Sequence, residues 1–195
     1  MIQYIVIIGA FAQLYGIYSY IQQTLKGNTK PNRITWLLWS IAPLIGVVAA
    51  IFDKVNPLAV LPVFMAGFGP LLVFIASFVN KNYYWKLEKF DYLCGFFSIF
   101  ALILWWLTKQ PVVAIIFAVI SDALAATPTV IKSYLHPETE TLDAYVGGAF
   151  GAITSFFAVK MWIPSAVIFP IYLICLNLTL VILIYRKKFN PSWRA

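Results

Sequence analysis

Apolar residues run through this chain in long blocks separated by short polar stretches. Seven blocks can be drawn, at about residues 2–22, 33–52, 57–79, 91–108, 111–133, 142–160 and 163–186. Some 20 apolar residues in helical form span the hydrocarbon core of a bilayer, so each block predicts a membrane-crossing helix. The first begins at Ile2 with no basic stretch before it and outruns the apolar core of a signal peptide, which predicts a first span and no cleaved leader. Pro43, Pro62, Pro128 and Pro170 fall inside blocks. Membrane helices tolerate such breaks where neighbouring groups satisfy the freed carbonyls.

The polar stretches set an orientation. Lys26, Lys30 and Arg33 follow the first block, Lys81, Lys86 and Lys89 the third, and Lys132 opens the loop after the fifth. Arg186, Lys187, Lys188 and Arg194 end the chain. Only three of the 14 basic residues, Lys54, Lys109 and Lys160, fall on the other side. By the positive-inside rule the N-terminus is outside and the C-terminus cytoplasmic, in a plasma (bacterial inner) membrane. Trp105, Trp106 and Trp162 then mark the outer edge, and Tyr83, Tyr84, Trp85 and Trp36 the inner one, as an aromatic belt.

Loop lengths repeat. Spans 1–3 and spans 5–7 each run long loop, short loop. An offset of 108 positions lays Pro62 on Pro170 and TLKGNTKPNRIT on KSYLHPETETLD. Span 4 adds one crossing, so both triples enter the membrane in the same orientation. The predicted fold is therefore an all-α membrane protein of seven transmembrane helices, with two parallel three-helix bundles joined by a linker helix (3+1+3). Its parts are residues 1–80, 81–110 and 111–195.

Composition agrees. Of 195 residues 62% are hydrophobic and 11% charged, whereas soluble domains carry roughly 25% charged residues. The net charge of +7 lies between the blocks, which argues against a nucleic-acid partner. Cys94 and Cys175 sit within apolar blocks, so no disulfide framework is expected. No glycine-rich phosphate loop with its lysine, no HExxH and no GxSxG is present, and span 7 has no lysine for a retinal Schiff base. Neither an enzyme nor a cofactor or metal site is expected.

One charge breaks the apolar pattern. Asp122 stands near the middle of PVVAIIFAVISDALAATPTVIKS, the only one of seven acidic residues well inside a block. A charge at the bilayer centre costs at least ~2.5–3.5 kcal/mol and usually faces a cavity or a partner. Ala118, Ala125, Ala126 and Thr129 share its helical face, which reads as the small, polar wall of a path. Asp122 could carry a coupling proton, hold a cationic group of a substrate, or merely join helices through Gln13 or a tyrosine. Gln13 and Asn177 lie near the predicted midplane, where substrate sites are found, although either could instead bond to another helix. Gln13 shares a stripe with Gly9, Gly16 and Tyr20. Trp39, deeper than Trp36, could stack on a substrate ring or close the inner end. Gly147, Gly151 and Ser155 form a small-residue row that predicts close helix packing. His136, Glu138 and Glu140 read as a solvated turn.

The 3+1+3 plan, with a long cytoplasmic turn after the first helix of each triple, resembles the SWEET and PQ-loop membrane transporter family. The family signature is Pro-Gln near the end of that helix, then a short Ser/Thr-rich turn. The second copy here reads Pro128-Thr129 and then PETET at 137–141; the first reads Tyr20-Ile21 and then KPNRIT at 30–35. The resemblance implies a substrate site between the triples, an asparagine on a third helix that Asn177 matches opposite Gly69, and proline hinges that Pro43 and Pro128 match. One Asp, one Asn and one Gly make an asymmetric cavity suited to a polar or charged solute. The expected function is a secondary transporter or facilitator of a small polar metabolite (sugar, amino acid or vitamin-like), with Asp122 for proton coupling. The alternative is a non-transporting receptor or partner subunit on the same fold. Expected partners are the bilayer and a small-molecule substrate, with a second copy of the chain left open.

Overall fold

The computed structural model describes residues 4–52, 57–80, 84–108, 110–159 and 162–189. They form seven α-helices: α1 (Ile5–Leu25), α2 (Arg33–Phe52), α3 (Pro57–Ala76), α4 (Lys89–Leu107), α5 (Pro111–Leu135), α6 (Leu142–Ser155) and α7 (Pro164–Phe189). Two short 3-10 turns, Pro137–Thr139 and Phe156–Ala158, flank α6, and no strand occurs among the described residues. Windows in α1, α5 and α7 (Ile5–Leu25, Ile115–Leu135 and Ala166–Arg186) are each long and apolar enough to cross a membrane. Large apolar side chains such as Phe11, Tyr15, Phe96 and Ile182 point outward, which fits a protein solvated by lipid. Lys54, Lys81, Tyr83, Lys109, Lys160 and Arg194, used above for orientation, lie outside the described residues, as do the side chains of Trp105, Lys187 and Lys188.

Helix ends follow local chemistry. Gly27, at a φ of 82°, turns the chain after α1 in the left-handed region that glycine enters freely. Asn32 caps α2, its Oδ1 accepting from the amides of Ile34 (3.1 Å) and Thr35 (3.3 Å). The same side chain donates through Nδ2 to the buried Asp91 at 2.7 Å. Asp91 in turn completes a capping box at the start of α4, accepting from the Glu88 amide at 2.6 Å.

Packing partners define a closed figure. α1 lies against α3 and α6, α2 against α3 and α5, and α7 between α5 and α6. Six helices thus form a ring in the order α1, α3, α2, α5, α7, α6. α4 stands outside it against α5 and α2, fastened where the Ser98 and Ser121 hydroxyls donate to each other's backbone carbonyls at 2.8 and 2.9 Å. The α1–α6 joint is a glycine seam. A Cβ at Gly147 would lie 2.7 Å from the Ala12 carbonyl oxygen, and one at Gly9 or Gly16 would meet Thr154 or the Asp143 carbonyl. Gly147 of the small-residue row on α6 therefore serves close packing, as the row predicts, and Gly9 and Gly16 of α1 serve it from the other side.

At one end the connecting segments pack on each other. The Lys30 amide donates to the Thr139 carbonyl (2.9 Å), Thr29 bonds Thr141, and the rings of Trp85 and His136 lie 5.6 Å apart. Towards this loop-packed end lies a buried apolar cluster built on Ile17, Tyr20, Trp36, Val73, Tyr145 and Leu180.

Candidate functional site: a cavity on the ring axis

Two connected compartments occupy the middle of the ring. The larger, about 330 Å³, is bordered towards the open end by Val6, Ala10, Pro62, Ile115, Ser155 and Ala166. The smaller, about 80 Å³, is bordered towards the loop-packed end by Ile17, Trp36, Trp39, Asp122, Tyr145 and Asn177. Gln13, Pro43, Ala66, Gly148, Phe169 and Leu173 border both. Every helix of the ring contributes and α4 contributes to neither.

Prolines shape this space. Among the described residues five lie inside helices, Pro43, Pro62, Pro70, Pro128 and Pro170, and four of these border the cavity. A proline removes a hydrogen bond to the carbonyl four residues earlier, and such a gap is tolerated at membrane depth where it faces a cavity. Pro70 belongs to this set although the blocks alone do not single it out. Pro128 does not: it is buried and borders neither compartment.

The residues singled out in the sequence converge in part. Asp122, Gln13, Asn177 and Trp39 all border the smaller compartment. Asp122 Oδ2 accepts from the Tyr172 hydroxyl of α7 at 2.7 Å, the tyrosine partner the bland reading required, yet the carboxylate also faces the cavity. Asn177 Nδ2 donates to the Leu173 carbonyl at 2.8 Å, one turn back on its own helix, and its Oδ1 lies over Gly148. Gly69, the counterpart of Asn177 by the 108-residue offset, is buried against Ile17 of α1 and does not border the cavity.

The face shared with Asp122 divides in two. Ala118 borders the cavity, but Ala125, Ala126 and Thr129 are buried. Thr129 Oγ1 donates to Thr35 Oγ1 (3.0 Å), which donates to the Ala125 carbonyl (2.7 Å). That half is an α5–α2 contact, and of the face only Ala118 and Asp122 border the cavity. Small residues admit a neighbouring helix as readily as a solute, so the pattern could not separate the two.

Three further expectations are corrected at the loop-packed end. Trp36 is no belt residue: it is 2% exposed, with its ring centroid 4.7 Å from Tyr20 and 5.3 Å from Trp39. Glu140 is not solvated. Its Oε2 accepts from the hydroxyls of Tyr20 (2.8 Å) and Tyr145 (2.9 Å), and its Oε1 pairs with the Lys132 ammonium, both side chains being 0% exposed. Lys132 therefore belongs to the buried end of α5 and not to a loop; it also donates to the Lys30 carbonyl and lies 5.4 Å from the Trp85 ring centre. His136 and Glu138 remain exposed, 3.5 Å apart. Trp106 and Trp162 stand outward as expected of belt residues, and Tyr84 is exposed.

This latch fills the ring between α1, α5 and α6 directly beneath the smaller compartment. The signal that would have found it is phenolic. Tyr20 and Tyr145 sit in apolar blocks, and a buried tyrosine hydroxyl needs a partner. Comparison of the chain with protein-family models, with curated proteins and with solved structures finds no match.

Proposed function

We propose that the protein is a secondary transporter or facilitator of a small polar metabolite, working by alternating access across a plasma membrane. The observation that carries this reading is the central cavity, which all six ring helices border. A cavity lined from all six helices suits a solute path, and Asp122 is the one charged group among the described residues that border it. In this reading all seven helices cross the bilayer, with the loop-packed end cytoplasmic. The helices form two triples, α1–α3 and α5–α7, joined by α4. Support for the triples comes from packing: α3 lies between α1 and α2 as α7 lies between α5 and α6, and the paired prolines Pro62 and Pro170 border the same compartment. The buried latch is the gate at the cytoplasmic end, and Pro43, at the cavity wall, is the hinge best placed to transmit its release; Pro128 is the candidate second hinge.

Purified protein in proteoliposomes, offered sugars, amino acids and vitamins in turn, tests this. Counterflow of at least one solute is expected, with accumulation driven by a pH gradient in wild type and lost in Asp122→Asn. Wild-type accumulation by that variant at every pH would remove the coupling role. A panel without any flux, in which a solute still shifts thermal stability, would establish a receptor on this fold.

A further inference from the structure

Charge and surface in the cavity single out a class of ligand. Among the described residues, those bordering one compartment or the other include one carboxylate, Asp122, and no lysine, arginine or histidine. The elements packed on α5 bring one titratable group against it, the Tyr172 hydroxyl of α7; α2 brings the Trp39 indole. Neither of the two ion pairs found among the described residues involves Asp122. An ionised Asp122 thus has no cationic partner among the described residues, and a charge withdrawn from water calls for a counter-charge.

The surroundings of that carboxylate are aromatic. Trp36, Trp39, Tyr145 and Phe169 border the same small compartment. The faces of such rings attract cations, more so when water is excluded. Metal ions of the hard class need several oxygen ligands, often more than one carboxylate, and for further side-chain oxygens Asp122 has beside it only the neutral side chains of Gln13, Asn177 and Tyr172. The Trp39 indole is set against that same carboxylate, so ring and acid border one space.

We infer that the cavity binds a small organic monocation, an ammonium compound, with Asp122 as its counter-charge. This rests on the transporter reading for its physiological meaning, but not for the binding itself. A zwitterion is disfavoured, because no basic residue borders the cavity to meet its carboxylate. Charge balance then fixes the exchange. The loaded cavity is neutral with the cation on Asp122, and the empty cavity is neutral with a proton there. One cation leaves as one proton enters, and the cycle moves no net charge.

The test uses the full chain in detergent with choline, its neutral isostere 3,3-dimethylbutan-1-ol, and the zwitterion betaine. Tetramethylammonium and benzylamine widen the cation set. At least one cation is expected to bind and raise the melting temperature. The isostere and betaine are expected to bind at least about 30-fold more weakly, the scale of a lost charged interaction. Cation affinity should fall as pH falls, by up to tenfold per unit, because the proton competes for Asp122. Asp122→Asn should lose cation affinity by a similar factor. Should that variant misfold, Trp39→Leu serves instead, weakening the cation relative to the isostere. Equal binding of cation and isostere, undiminished cation affinity in Asp122→Asn, or no response to any of the three cations overturns the inference. Cation binding without counterflow would leave it standing and overturn the transporter reading. Gradient-driven uptake of a neutral solute without cation binding would do the reverse.

Discussion

Replacing Glu140 with glutamine should open the loop-packed end. The wild-type carboxylate serves three buried groups at once, the Lys132 ammonium and the hydroxyls of Tyr20 and Tyr145. In Glu140→Gln the ammonium keeps the Lys30 carbonyl but has no counter-charge, and removing one partner of a buried pair costs about 3–5 kcal/mol. The two tyrosines also exchange a charged acceptor for a neutral one, losing on the order of 1 kcal/mol each. Taking only about 4 kcal/mol in all, the closed arrangement loses roughly a thousandfold against one with this end parted. Ala144 borders the cavity just above the latch, so a single cysteine there, in a background lacking Cys94 and Cys175, reports access. Maleimide added from the loop side should label it at least tenfold faster in Glu140→Gln than in the parent. Adding Lys132→Met should restore slow labelling, since both charges are then gone. Unchanged labelling in the single variant, or equally fast labelling in the double, would refute the latch.

Gly147→Leu should part the glycine seam, since even a Cβ there lies 2.7 Å from the Ala12 carbonyl; a loss of about 1–3 kcal/mol is expected in detergent melts. Gly148→Ala should leave the fold intact and shift the site. Its Cβ would come 2.6 Å from Asn177 Oδ1, a side-chain end able to rotate away, so ligand affinity should change while the melting temperature holds. Asn32→Ala removes the α2 cap at a cost of about 0.5–2 kcal/mol and strands Asp91 besides. Asn32→Asp keeps a capping oxygen but sets a second carboxylate against Asp91, so melting curves should show no rescue.

The seven helices were legible because apolar blocks bounded by polar stretches carry their own length and limits. Asp122 was legible for the same reason, as a charge where the pattern allows none. Glu140 was not. It stands in a polar turn two positions from Glu138, and nothing one-dimensional separates the buried carboxylate from the exposed one. The 3-10 turn at Pro137–Thr139 and the docking of that turn on the α1–α2 loop decide which faces inward. Trp36 failed differently. A tryptophan one turn into a span suits a lipid headgroup region or a packed floor equally, and only its neighbours Tyr20 and Tyr145 settle it. Tyr172 was hidden among apolar residues of α7, its role visible only once α7 lies beside α5.

The glycine seam has a consequence for how the chain comes together. Its two halves, α1 and α6, are separated by the 116 positions between Leu25 and Leu142. At a synthesis rate of about 5–20 residues per second, α1 is made roughly 6–25 seconds before its main partner exists. By contrast, α2 with α3 and α4 with α5 meet as sequence neighbours. Although α1 can meet α3 early, its other face, marked by Gly9 and Gly16, must wait for α6 in lipid or in the insertion machinery. Release of a nascent chain before α6 has emerged would leave an open arc of helices, without the enclosed space on which any passage of solute depends.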